Sequence, residues 1–225
     1  MKKTLRVAYG IIFMLLIILS AAPASAGTVW TDWTTITSSA PGALGTLNGV
    51  GVTYAGEVLA NTVINGTATN WSPNSSFIGG TVTTSPSTVG DIIALDGVSG
   101  GVSSGTITFD SAIVDPVFAI WSLGSPSIAA SFTFNLTPYY EAGGPNSQYG
   151  GAPINVVGKV VSGREGNGVV QFTGSFTTLS WTNTYEYWYG FTVGTAASSV
   201  PEPATMLLLG LGLVGLAGVN RKFRK

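Results

Sequence analysis

Histidine and cysteine are both absent from this chain. Without them, neither a Ser/His/Asp nor a Cys/His nucleophile system can be built. The commonest general base and metal ligand is missing, and zinc loses its usual donors. Disulfides are excluded, so stability must come from packing alone. Charge is scarce too, at 8% of residues. Seven of the nine basic residues lie at the two ends: Lys2, Lys3, Arg6, Arg221, Lys222, Arg224 and Lys225. Only Lys159 and Arg164 remain between them, and residues 27–199 carry nine acidic side chains, a net charge of −7. Phosphate binding requires a basic face, so nucleic acid is excluded as a partner. Adhesion of the body to an anionic membrane surface is disfavoured for the same reason.

The sparse charges form no recognisable catalytic motif. Ser–Lys chemistry would have to use Lys159, with nothing nearby to support it. A glycosidase needs two apposed carboxylates, whereas Asp91, Asp96, Asp110 and Asp115 read as turn and strand-end residues bonding their own backbone. No D-x-D-x-D-G loop is present. A structural Ca²⁺, which needs only oxygen ligands, stays open with no ligand assignable. The expectation is a protein that is not an enzyme and holds no cofactor.

What is abundant is glycine, at 31 residues, alongside 11% aromatics. The aromatic content argues for a packed core rather than disorder. Short runs alternate with period two, as strands do when one face packs and the other meets solvent. Val50 to Tyr54 sets Val50, Val52 and Tyr54 on one face. Thr106 to Phe109 pairs Ile107 with Phe109. Val117 to Leu123 aligns Val117, Ala119, Trp121 and Leu123. Ser131 to Leu136 aligns Phe132, Phe134 and Leu136. Tyr185 to Val193 aligns Tyr185, Tyr187, Tyr189, Phe191 and Val193, with Glu186 and Trp188 opposite. Gly79-Gly80, Gly100-Gly101, Gly143-Gly144-Pro145 and Gly150-Gly151 supply turns, and Asp115-Pro116 a corner. Asn61 to Ser76 and Pro138 to Pro153 read as loops. The pattern predicts an all-β fold, an antiparallel, jelly-roll-like β-sandwich of about ten strands, with a β-barrel as the alternative.

The two ends follow different rules. In residues 1–26, the basic start precedes an uncharged apolar run, Val7 to Leu19. Ala24-Ser25-Ala26 then offers small residues for signal peptidase, predicting cleavage between Ala26 and Gly27. Residues 27–199 form the exported domain, and 200–225 a tail. In the tail, Val200-Pro201-Glu202-Pro203 leads into an uncharged run, 204–219, and a basic end, 221–225. Sixteen residues of helix span about 24 Å, slightly under a hydrocarbon core of about 30 Å, a gap that snorkelling Lys and Arg side chains can close. This predicts a membrane-spanning helix. Arg221, Lys222, Arg224 and Lys225 act as a cytoplasmic stop, leaving the body on the periplasmic side of the inner membrane.

Motif, apolar run and basic end together resemble the PEP-CTERM sorting signal of Gram-negative bacteria. The resemblance implies recognition by an exosortase, a membrane-embedded transpeptidase-like enzyme. It further implies release or transfer of the body to the cell surface or matrix, and a link to exopolysaccharide and biofilm. A plain single-pass anchor is the alternative. Residues 116–124, 174–182 and 190–194 resemble an exported domain that recurs in PEP-CTERM proteins, and that likeness brings no activity with it.

The leading expectation is therefore a non-enzymatic surface or matrix component. The alternatives are a carbohydrate-binding module and, third, a polysaccharide-active enzyme. Sugar rings present C–H faces that pack on Trp and Tyr. Trp121 and Trp181 lie in alternating strands and read as core. Trp71, Tyr139, Tyr140 and Trp188 are expected to be exposed and are the candidate sugar contacts. Asn65, Asn70, Asn74 and Asn135 each open an N-x-S/T triplet, which marks Asn61 to Ser76 as an exposed stretch.

Overall fold

A computed structural model describes residues 27–37, 41–66, 69–87 and 90–196. The expected signal segment, 1–26, and the membrane helix, 204–219, lie outside these residues. Among the described residues no helix is long and apolar enough to cross a membrane.

The described residues form fifteen strands in two sheets. They are β1 (Thr28–Trp30), β2 (Asp32–Thr37), β3 (Gly42–Leu47), β4 (Val50–Gly56), β5 (Ile93–Leu95), β6 (Val102–Val114), β7 (Pro116–Leu123) and β8 (Ala130–Phe134). There follow β9 (Tyr139–Gly143), β10 (Ala152–Pro153), β11 (Asn155–Val157), β12 (Val160–Gly163), β13 (Gly166–Gln171), β14 (Ser175–Thr184) and β15 (Tyr189–Ala196). The first sheet centres on β15, β7 and β13; β1 and β5 share the outer edge of β15, and β9 and β10 that of β13. The second runs β11-β12-β8-β14-β6-β4-β3-β2. All pairings are antiparallel except the two-residue contact of β10 with β13.

From β5 to β8 and from β12 to β15 the chain alternates between sheets. The resulting orders, β5-β15-β7-β13 and β6-β14-β8-β12, have the wrapped connectivity of a jelly roll. Consecutive strands cross through tight corners. At Asp115, between β6 and β7, the backbone N–H bonds Gly174 O and the carboxylate accepts Gly174 N–H, both at 2.7 Å. Asn48-Gly49 turns β3 into β4 with both φ angles positive, the requirement of a two-residue hairpin whose twist matches its strands.

The inner faces meet in one large apolar core. Phe118 on β7 lies at its centre, stacked on Phe191 at 4.8 Å and edge-on to Phe132, Phe134 and Trp181. A second core lies on the opposite face of the first sheet. There Val117, Ala119 and Trp121 of β7 pack under Trp71, Phe77, Val82 and Ile92. Those four residues thus cover that sheet, and every residue of β7 is buried.

Three expectations are corrected. Leu123 does not share a face with Trp121: Ser122, at φ +55°, forms a bulge against β13 and returns Leu123 to the inner core. The last strand begins at Tyr189, not Tyr185. The Glu186 carboxylate accepts N–H bonds from Tyr187 and Trp188, folding the chain into a turn that buries Glu186 and exposes Tyr187. Finally, Pro138 to Pro153 is not all loop, since it contains β9 and β10. Among its described residues, the segment Asn61 to Ser76 holds no strand beyond an isolated bridge at Val63, and it ends in a 3-10 turn, Asn74–Ser76.

Candidate functional site

The sorting residues Val200, Pro201, Glu202 and Pro203, the basic stop and the signal-peptidase positions Ala24 and Ala26 lie outside the described residues. Gly27 is described. It is exposed and directly precedes β1, so cleavage after Ala26 would leave that strand whole.

The four candidate sugar-contact aromatics do not form one platform. Trp71 is fully buried, edge-on to Phe77, with its indole N–H donating to Asp91 O at 3.2 Å. It has no free ring face, which corrects the expectation of exposure. The polar neighbours Asn70 and Ser72 disguise a segment whose task is to cover the first sheet. Trp188 is half-buried, edge-on to Trp121 at 4.2 Å. Tyr139 and Tyr140 on β9 are open to solvent, at 56% and 48%. Tyr149, not singled out from the sequence, is exposed and leans on Trp121. The indole N–H groups of Trp121 and Trp188 are buried without a partner.

A cleft of about 280 Å³ opens where β1 and β2 meet the stretch before β5. Trp30, Thr31, Asp32, Asn65, Pro86, Gly90, Asp91 and Thr192 are among its walls. Trp30 rests on Gly194, its cross-strand partner on β15; a Cβ there would lie 2.7 Å from the indole, so the contact needs glycine. The indole N–H donates to Thr84 O at 2.8 Å, which fixes the ring. Asp91 lines the same cleft. Its carboxylate accepts Trp33 N–H and Asn65 N–H, each at 2.7 Å. Burial pushes the Asp91 carboxyl above its ordinary range, and the charge of Asp32 adds to the effect against those two bonds. Asp32 itself is exposed. The sequence marks Asp91 only as a turn residue and gives no sign that Trp30 meets it.

A shallower groove on the outer face of the second sheet is lined by Ser104, Thr106, Thr133, Asn135, Ser180 and Thr182. It is uncharged, and the two aromatic residues beneath it, Phe134 and Trp181, are buried in the core. Among the described residues no group of three or more carboxylates is placed to hold a metal ion.

The arrangement first defines a class. An antiparallel β-sandwich ends its last strand at Ala196, and in the sequence a Pro-Glu-Pro motif, an apolar run and a basic end follow, the order of a folded domain with a C-terminal tail. The family model for the PEP-CTERM protein-sorting motif matches residues 199–222, so the chain carries that motif. It marks the chain as an exported protein sorted by an exosortase. No curated protein and no solved structure matches the chain.

Proposed function

We propose that the protein is a non-enzymatic component of the bacterial cell surface or extracellular matrix, associated with exopolysaccharide. A signal peptide exports it, the tail holds it as a single-pass protein with its body outside the inner membrane, and an exosortase then processes it. The observation that carries the reading is the sorting motif at residues 199–222. The test is to replace Pro201, Glu202 and Pro203 with alanine in an exosortase-bearing host. Membrane insertion should persist, because the apolar run supplies the transfer energy. Processing and surface delivery should be lost. If both continue unchanged, the tail is an anchor and the sorting role is refuted.

A second reading, a carbohydrate-binding body, is favoured by the cleft beside Trp30. It sets a fixed aromatic ring against convergent carboxylate, amide and hydroxyl groups, the makeup of a small-ligand site. Retention of the purified chain on immobilised polysaccharide tests it. Release of reducing sugar in the same assay would point to an enzyme instead.

A further inference from the structure

The cleft beside Trp30 has a charge that its own walls leave uncompensated. Asp32 and Asp91 both line it, close enough for the charge of Asp32 to bear on Asp91, and among the described residues no Lys or Arg lines it. The body's two cationic side chains bond backbone carbonyls on other elements: Lys159 to Asn135 O and Arg164 to Pro126 O. The Asp91 oxygens each accept one backbone N–H, which leaves acceptor capacity for a ligand, since a carboxylate offers about four lone-pair positions. Lining the same cleft is an indole held in place by Gly194 and Thr84. An aromatic face attracts cations as well as C–H groups, and a pre-fixed ring loses little freedom on binding. The space, about 280 Å³, is of a size to take a single sugar ring.

We propose that this cleft binds a cationic amino-sugar unit of a polysaccharide, with the sugar ring on Trp30 and its ammonium between Asp32 and Asp91. The inference rests on the exopolysaccharide reading above and names the chemistry the matrix polymer must carry. A neutral sugar could pack on the ring and donate hydroxyls to the carboxylates, but would leave their charge uncompensated. A simple metal ion would satisfy the carboxylates but not the ring.

The test uses the full chain from an exporting host and two probes, a β-1,4-linked glucosamine oligomer and the glucose oligomer of equal length, followed by calorimetry and tryptophan fluorescence. The glucosamine oligomer should bind about tenfold more tightly, the worth of one charge-assisted hydrogen bond, and its advantage should shrink as salt rises. Asp32→Asn, at an exposed position, should keep the fold by circular dichroism and abolish the preference. Trp30→Ala should weaken both oligomers together. Equal affinities for the two probes, or a preference that survives Asp32→Asn, would overturn the proposal. Surface delivery of the same variants separates the two readings. A chain that is delivered and held in the matrix without any amino-sugar preference refutes the cleft alone. A wild-type chain that never reaches the surface refutes the matrix reading, whatever the cleft binds.

Discussion

Glu57, just beyond β4, makes folding stability depend on pH in a direction opposite to ordinary acid denaturation. Its carboxyl accepts Gly97 N–H at 2.9 Å and shares a hydrogen bond with the side chain of Asp96. Two carboxyl groups in contact cannot both ionise freely, and partial burial penalises the charge further. Burial first, and the Asp96 contact second, push Glu57 from 4.5 up to about 7. The folded chain therefore keeps a proton that the unfolded chain has already released. The stability this supplies is complete below about pH 4.5 and is lost as pH rises through about 7. A rise of that size corresponds to at most about 3 kcal/mol. Glu57 is only half-buried, and solvent screening reduces the effect to about 1–2 kcal/mol. Burial also raises Asp91 and Glu186, so the wild-type profile alone would not isolate Glu57. The comparison with Glu57→Gln does, because the amide keeps the shape and both hydrogen bonds without titrating. Urea unfolding of both proteins on either side of the transition should show the wild type losing about 1–2 kcal/mol relative to the variant as pH rises. A difference that stays constant with pH, or grows in favour of the wild type, would refute the argument.

Other expectations are simpler. Phe118→Ala should cost about 3–5 kcal/mol, the usual loss for a large buried ring, read from the urea midpoint. Gly105→Ala should destabilise by about 1–3 kcal/mol, because the added methyl would sit 2.4 Å from the Trp181 ring; thermal unfolding checks it. Intact-mass analysis of the exported protein should find Gly27 at the mature N-terminus. Leu211→Lys should weaken membrane insertion of the tail by about 2.5–3.5 kcal/mol, measured as the fraction of chains inserted.

Most of the strands that could be read have one exposed face. Strands β4, β6 and β8 could be read because each has one wet face, so Val52 and Tyr54, Ile107 and Phe109, and Phe132 and Phe134 alternate with polar residues. Strand β13 could not, since all six residues of Gly166–Gln171 are buried and no period remains. Strand β7 was legible as a strand, but not in its final residue, because nothing in the sequence announces the bulge at Ser122. Glu186 defeated the alternation by bonding its own backbone. The tail was the most legible part, as motif, apolar run and basic end are contiguous. The cleft was the least. Trp30, Asn65 and Asp91 are far apart in sequence, and only the pairing of β1 with β15 and the Asp91 hydrogen bonds bring them to one place.

The antiparallel register of β1 with β15 pairs Thr28 with Ala196, so the chain enters and leaves the sandwich at one point on its surface. A pull transmitted from the tail enters the body at Ala196 and runs along the length of β15. That strand is bonded to β7 on one side and to β1 and β5 on the other. Such a load shears many hydrogen bonds at once instead of peeling them singly. Under the proposed attachment through the tail, the load would fall on a strand bonded along both edges.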